Sequence, residues 1–449
     1  MFLRHTFFER FQTYKNRIAL IHKDQKYTYG DLNEKISELL LSLKIPDQSA
    51  VSLVGDYSFE TIATFLALCI KKCIITPINL KPPTHLIEHL WAQFLIEKNQ
   101  VLPIKKNLTC PQNHPLIKQL IQKNASGLII LSSASTGKPK SILHNLDLML
   151  DFYAQKTFNP TNVAGVFLFD HIAGIDVLLS QFSTSGILCV PEFRTPQSVG
   201  EIIQKYRVEI LPSSPTFLRL LLLAQITDTF DLTSLKLIIY GSEMMPPQLL
   251  KDLKNTLQWV KFKQSFGTSE TNAIKTKNAK TASGFIRLDP AHTQYKIINN
   301  ELWLKSKTQT LGYLETYEDT FEEGWFKTGD LVETISEDGE EFIKIIGRTK
   351  EIINVGGQKV LPQEVENTIG ELKGIKDCLA YGEANPITGQ SVSLKVVLDE
   401  KILDPKDKIG LKKLIREFCK NRLENYKIPT KIIVTQNLNV STRFKKMRR

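Results

Sequence analysis

The sequence predicts an α/β protein, and three stretches of patterning carry that reading. Short apolar runs alternate with longer amphipathic ones from about residue 18 to 260, short alternating strands take over from about 284 to 346, and a mixed pattern follows Gly347-Arg348. The first stretch has the texture of strands buried on both faces between crossover helices, which is the signature of parallel βαβ units. A chain of 449 residues exceeds one ordinary core, so two or three domains are expected.

The elements follow in order. Ala50-Val51-Ser52-Leu53-Val54 reads as a strand before a helix over residues 59–70, and Leu128-Ile129-Ile130-Leu131 as a second apolar strand. Ile187-Leu188-Cys189-Val190 precedes a helix over residues 199–206, Glu209-Ile210-Leu211-Pro212 a helical run over 218–224, and Lys236-Leu237-Ile238-Ile239-Tyr240 a helix over 247–257. Beyond 284, Glu301-Leu302-Trp303-Leu304-Lys305 and Glu341-Phe342-Ile343-Lys344-Ile345 alternate with period two, beside turns at Asn299-Asn300 and Asp338-Gly339. This reads as a smaller β-rich lobe over about 284–346. A helix then begins after Pro362 and another covers 411–423. The expected division is residues 1–347 and 348–449, the second of ordinary domain size.

Composition is that of a globular protein, 42% hydrophobic and 23% charged. No run approaches the ~18 apolar residues of a membrane span, and charge interrupts the apolar residues of the first ten positions. A cytoplasmic protein with no integral membrane contact is expected. The cysteines Cys69, Cys73, Cys110, Cys189, Cys378 and Cys419 are scattered, which fits buried reduced thiols better than a metal or disulfide framework. Net charge is +11, and five of the last ten residues are basic. No zinc-finger spacing or aromatic-basic platform accompanies them, so they read as a solvated end and not as a nucleic-acid site. A basic surface also suits small polyanions such as nucleotides.

Five segments carry chemistry. Ser132-Ser133-Ala134-Ser135-Thr136-Gly137-Lys138-Pro139-Lys140-Ser141 follows the apolar strand with hydroxyls, a glycine and two lysines, the build of a phosphate-gripping nest. It is not a P-loop, because Pro139 follows Lys138 where a hydroxyl would be needed. Gly241-Ser242-Glu243 follows a buried strand, its glycine allowing backbone close to a flat ligand. Ser265-Phe266-Gly267-Thr268-Ser269-Glu270 places a ring, hydroxyls and a carboxylate together, and Glu270 suits Mg²⁺, which takes few protein carboxylates beside waters and phosphates. Gly329-Asp330 sets an acid after a glycine turn, suited to ribose hydroxyls. The run from Gly347 to Gly357 joins a fixed cation, Arg348, to a double-glycine turn.

In this order the segments resemble the adenylate-forming superfamily, which includes acyl- and aryl-CoA synthetases and the adenylation domains of peptide synthetases. The resemblance runs from Tyr27-Thr28-Tyr29-Gly30-Asp31-Leu32, similar to the family's T-Y-x-x-L opening, to the last ten residues. It implies a large N-terminal domain of layered αβ subdomains plus a small β-barrel, joined by a hinge to a mobile small α+β C-terminal domain. It also implies roles. Thr136, with Ser132, Ser133, Ser135, Gly137, Lys138 and Lys140, grips the ATP phosphates. Gly241, Ser242 and Glu243 line the adenine, and Phe266, beside Gly267, stacks on it in place of the usual tyrosine. Ser269 replaces the usual threonine and Glu270 is the magnesium-associated acid. Asp330 and Arg348 hold the ribose, Lys350 is the hinge, and Gly356 and Gly357 line the thiol tunnel. The catalytic lysine falls on Lys445 in the ending Leu438 to Arg449, where Phe444 replaces a glycine and Lys446 is the competing position. Ala134 and Ser141 likewise stand where the family carries glycine, which restricts left-handed backbone.

The implied reaction is ATP-dependent activation of a carboxylic acid to acyl-AMP with release of pyrophosphate, then transfer to the thiol of CoA or of a carrier-protein phosphopantetheine. Phe169-Asp170-His171-Ile172-Ala173-Gly174 resembles the F-H-I-x-G segment of acyl- and aryl-CoA synthetases, with His171 at the acid pocket; Asp170 alternatively resembles the acid that holds a substrate ammonium in amino-acid-activating domains. Two further readings stay open at this point: an amino- or hydroxy-acid adenylating enzyme serving a separate carrier protein, and a non-catalytic adenylate-binding protein.

Overall fold

The computed structural model describes residues 5–83, 87, 89–104, 111–132, 140–279, 284–315, 320–441 and 446–448. Among them, two seven-stranded sheets form the frame of a large N-terminal domain. In the first, Lys261–Gln264, Leu237–Tyr240, Ile210–Ser213, Asn162–Ala164, Ile187–Val190 and Ile18–His22 run parallel, and Gln25–Thr28 closes one edge antiparallel. In the second, Gly127–Ser132, Ile74–Ile78, Ala50–Val54 and Phe94–Glu97 are parallel. Antiparallel strands flank this set: Gln100–Pro103 on one side, Lys140–Asn145 and Gly312–Tyr313 on the other.

The helices between these sheets are apolar nearly all round, as a helix buried on every side must be. Phe59–Ile70 buries every residue from Ile62 to Cys69, and Ile172–Ser183 buries nine of its residues. They share one core with Leu20 and Leu188 of the first sheet and Val51, Ile75 and Ile130 of the second. The expected parallel βαβ organisation is thus observed, with a central helical layer common to both sheets. Thr28 caps Tyr29–Ser42 in a full capping box with Asp31, so the T-Y-x-x-L segment is a helix start.

Several helices begin earlier than their apolar periodicity suggested. Pro196–Tyr206 and Pro215–Leu223 start at prolines behind the caps Thr195 and Ser214, and Lys408–Lys420 starts behind Asp407. The cap and the proline, which needs no N–H partner in the first turn, set the start; the apolar stripe only sets the buried face.

A further seven-stranded antiparallel sheet holds Thr276–Asn278, Ile286–Leu288, Glu340–Arg348, Trp325–Glu337, Glu301–Ser306 and Thr293–Ile298, with Phe321–Glu322 paired to Trp325–Glu337. Two-residue turns at Asn299-Asn300 and Asp338-Gly339, all with positive φ, join its hairpins. The strand ending at Arg348 passes through the one-turn helix Thr349–Glu351 into a small C-terminal domain. There a five-stranded sheet packs against Pro362–Gly370 and Lys408–Lys420 over its own core of Val365, Leu394, Val396 and Ile415. The five described cysteines are buried and free; burial pushes the Cys73, Cys189 and Cys378 thiols up to about 12, so they are inert core residues. Cys110 lies outside the described residues. No helix among the described residues is long and apolar enough to cross a membrane.

Candidate active site

A cleft of about 1850 Å³ opens where the two large sheets, the antiparallel sheet and the C-terminal residues meet. Its walls include Ser132 and Lys140 from the second sheet, Asp170 and His171 before the central helix, and Gly241 and Ser242 after a strand of the first sheet. Phe266, Gly267, Ser269 and Glu270 come from the hairpin Phe266–Thr268/Asn272–Ile274, and Arg348 and Lys350 from the inter-domain connection. Segments as distant in sequence as Ser132 and Lys350, 218 residues apart, therefore face one space.

Local chemistry explains each position. Ser132 and Lys140 pair across two antiparallel strands, and residues 133–139 between them, with Ser133, Ala134, Ser135, Thr136, Gly137 and Lys138, lie outside the described residues. The Lys140 ammonium sits 5.0 Å from the Tyr313 ring centroid. Burial, and then the like charge of Lys350, lowers its pKa, so two cations share the cleft rim and favour an anion there. Ser141 takes no left-handed backbone. It is a buried strand residue whose N–H and hydroxyl both donate to Glu315, at 2.8 and 2.6 Å.

At Gly241 a Cβ would stand 2.8 Å from the Ser265 carbonyl oxygen, so this glycine is needed for strand approach within the protein. Ser242 beside it has φ +66°, a conformation that costs a non-glycine residue about 1 kcal/mol or more and concentrates at functional sites. Glu270 accepts the Tyr313 hydroxyl at 2.8 Å. His171 caps Ile172–Ser183, its Nδ1 accepting the Ala173 N–H at 3.3 Å, and Asp170 accepts the Asn79 N–H at 3.3 Å.

Other expected residues fall elsewhere. Glu243 does not line the cleft; its carboxylate accepts the Thr216 hydroxyl at 2.6 Å and the Lys446 N–H at 2.9 Å, bracing a helix start against the C-terminal residues. Asp330 is buried beneath Arg348, which donates to it at 2.8 Å. Burial pushes its carboxyl pKa up against the pull of the guanidinium. Gly356 and Gly357, at φ +58° and +83°, form the turn between Ile353–Val355 and Gln358–Val360, away from the cleft lining.

Two of the basic C-terminal residues, Lys446 and Arg448, are held against the protein and are not solvated. The Lys446 ammonium donates to Asp377 at 2.6 Å and to the Cys378 carbonyl at 3.1 Å. Arg448 donates to Glu351 at 3.0 Å, to the Ala380 carbonyl at 2.9 Å and to Glu366. Their side chains are only 17% and 21% exposed. Ion pairing with Asp377, Glu351 and Glu366 draws these two charges inward. Lys445 lies outside the described residues, while Ser441 and Lys446, which flank residues 442–445, line the cleft.

Sequence reasoning missed Tyr313 and Glu315. They lie in the run Leu311-Gly312-Tyr313-Leu314-Glu315, and pattern alone gave them no signal. His144 is buried and bonded through Nε2 to the Ser269 carbonyl at 2.7 Å. Desolvation lowers its pKa to about 4. The unfolded chain, with a histidine pKa near ~6.5, therefore takes up this proton first. Its contribution to stability, on the order of 3 kcal/mol, is present above pH ~6.5 and lost as pH falls towards 4. Urea unfolding at pH 7 and 4.5 checks this: the midpoint should drop less between the two in His144→Asn than in the wild type.

The family model for AMP-binding enzymes matches residues 7–314, more than half of the chain. The chain belongs to the AMP-binding enzymes. Residues 364–445 match the model of the AMP-binding enzyme C-terminal domain. Among curated relatives, the 2-succinylbenzoate–CoA ligase of Staphylococcus epidermidis is 24% identical over 96% of this chain and 93% of its own length. The indoleacetate–CoA ligase of Aromatoleum aromaticum is 22% identical over 94% and 92%. Among solved structures, the anthranilate CoA ligase AuaEII in complex with anthranoyl-AMP superposes with a TM-score of 0.79 at 20% identity, covering 98% of this chain and 95% of that one. The o-succinylbenzoate CoA synthetase of Bacillus subtilis in complex with ATP and magnesium gives 0.75 at 18% identity, covering 99% and 98%. These likenesses extend the adenylate-forming fold to this member, a large α/β domain followed by a small C-terminal one.

Proposed function

We propose that this enzyme converts a carboxylic acid and Mg·ATP to acyl-AMP and pyrophosphate, then passes the acyl group to the thiol of CoA. The observation that carries the reading is the convergence of the phosphate-, adenine-, ribose- and hinge-associated segments on one cleft with Lys140 and Lys350 at its rim. The CoA-ligase names of relatives aligned over nearly the whole chain favour CoA as the acceptor.

In the first step a carboxylate oxygen bonds to the α-phosphorus and the bond to pyrophosphate breaks; two anions must be held together, so positioning and positive charge dominate. Residues 132–140, centred on Thr136, would grip the phosphates. Gly241 and Ser242 would border the adenine and Phe266 would stack on it, with Glu243 acting through the helix start it braces. Arg348, held by Asp330, would reach the ribose. Among the described residues no cluster of three or more His, Cys, Asp or Glu side chains suits a metal, and Glu270 offers one carboxylate; that donor set fits Mg²⁺, which brings mainly phosphate and water ligands. Bound there, Mg²⁺ would offset charge on the phosphates. Lys445 would stabilise the first transition state. In the second step the thiolate sulfur bonds to the acyl carbon and AMP leaves; rotation of residues 348–449 about Lys350 would withdraw Lys445 and bring Gly356 and Gly357 to the thiol path. His171 would border the acid.

ATP–pyrophosphate exchange across fatty, aryl and amino acids tests the proposal. Exchange with one acid class, and AMP formed with consumption of CoA, is the expected result. ATP binding without exchange for any acid would sink it.

A further inference from the structure

The inner wall of the cleft carries a charge that adenylation does not use. The helix Ile172–Ser183 is buried and apolar on most of its surface, yet Asp176 and Ser180, four residues apart on one face, both line the cleft. Opposite them stands Lys156, two residues past the helix Leu146–Ala154, also lining the cleft. Its backbone is fixed from the other side, because Arg10 donates to the carbonyls of Ala154 and Lys156, both at 2.6 Å. The ammonium is therefore held in place: it donates to the Ser180 hydroxyl at 2.6 Å and lies 4.9 Å from the Tyr153 ring centroid.

Among the described residues no carboxylate forms an ion pair with Lys156 within 4.0 Å. The nearest candidate, Asp176, takes the Tyr153 hydroxyl, and Asn272 donates to that same hydroxyl oxygen at 3.2 Å. Burial raises the Asp176 carboxyl pKa. Burial also lowers that of the Lys156 ammonium, against the pull of Asp176 and with Lys263 adding a like charge. Lys275, which lines the same space, is paired with Asp289 at 3.4 Å. A cation partly removed from water, in direct contact with a hydroxyl and a ring while the nearby Asp176 carboxylate is engaged by Tyr153, is an incompletely paired site. A wholly apolar acyl tail would leave it so. A tail ending in an anion would complete it, and polar groups placed this way in a mainly apolar pocket fix ligand orientation.

We infer that the acid bound in this cleft carries a second carboxylate, received by Lys156 and Ser180 at the inner wall while the first faces the nucleotide side. This rests on the adenylation reading for the fate of the first carboxylate only; recognition of the second is independent of it. Lys156 is then a specificity-determining residue. A site built around a buried polar group discriminates strongly against a ligand that leaves the group unpaired.

Isothermal titration of the full chain without nucleotide compares hexanoate with adipate and benzoate with isophthalate, in the wild type, Lys156→Met and Lys156→Arg. At least one dicarboxylate should bind tenfold or more tightly than its parent in the wild type, with the difference lost in Lys156→Met and retained in Lys156→Arg. ATP titration should give the same affinity in all three proteins, which excludes misfolding as the cause. Equal affinities within both pairs in the wild type, or a dicarboxylate preference that survives Lys156→Met, would overturn the inference. Pyrophosphate exchange scored on the same acids separates the two proposals. Lys156-dependent dicarboxylate binding without exchange upholds the second carboxylate and sinks adenylation; exchange with the monocarboxylates alone, unchanged in Lys156→Met, does the reverse.

Discussion

Lys445→Ala should lower ATP–pyrophosphate exchange by about two to three orders of magnitude, the usual cost of removing one preorganised charge from a developing anion. Thioester formation from supplied acyl-AMP should stay within a few-fold of wild type, because the proposed role of the lysine is confined to the first step. Lys446→Ala should behave differently, although the two residues are neighbours. The Lys446 ammonium is committed to Asp377 and to the Cys378 carbonyl, and Asp377 keeps Arg219 at 3.4 Å when the lysine is removed. The expected loss is therefore about 1–3 kcal/mol of stability in the C-terminal domain, seen as a lower urea midpoint, with exchange reduced less than tenfold. Half-reactions measured separately in both variants decide the matter. Exchange abolished in Lys446→Ala and retained in Lys445→Ala would transfer the catalytic role to Lys446.

Glu270→Gln should reduce exchange about a hundredfold and raise the Mg²⁺ concentration needed for half-maximal rate. The substitution keeps the side chain's size and an oxygen for the Tyr313 hydroxyl, now at 2.8 Å, so the hairpin that carries it should remain folded. What it removes is the negative charge, on which a hard cation depends. Tyr313→Phe is the matching control: it deletes the hydrogen bond and leaves the carboxylate, and it should cost less than tenfold with an unchanged Mg²⁺ requirement. An unaltered Mg²⁺ titration in Glu270→Gln would remove Glu270 from the metal's surroundings.

The fold was legible where short-range pattern and burial agree. The helix Phe59–Ile70 and the strand Leu237–Tyr240 were readable because residues buried on every side leave continuous apolar runs. The site was legible where a ligand's chemistry demands several residue types in a short segment, as at residues 265–270. It was not legible where one side chain finds its partner across the fold. Glu243 looked like an adenine neighbour because it follows Gly241-Ser242, yet Thr216, in the first turn of a helix, offers its carboxylate a hydroxyl and an N–H, at 2.6 and 3.2 Å. Arg448 looked like part of a solvated run; its partners Glu351 and Glu366 stand 97 and 82 residues away. Lys156 belongs to no motif, and only the position of Ser180 on a facing helix makes it notable.

The pairing of Gly312–Tyr313 with Lys140–Asn145 bears on how the chain emerges during synthesis. The second sheet has all its other strands by Asn145, but its last edge waits for residues made much later. Roughly 170 further residues must be added, which takes on the order of ten to thirty seconds at about 5–20 residues per second. Throughout that interval the N–H and C=O groups on one side of Lys140–Asn145 lack their final partner, and such an open strand edge invites pairing with another nascent chain. The same short strand brings Tyr313 to Glu270, so translation closes the vulnerable edge and completes that wall of the cleft in a single event.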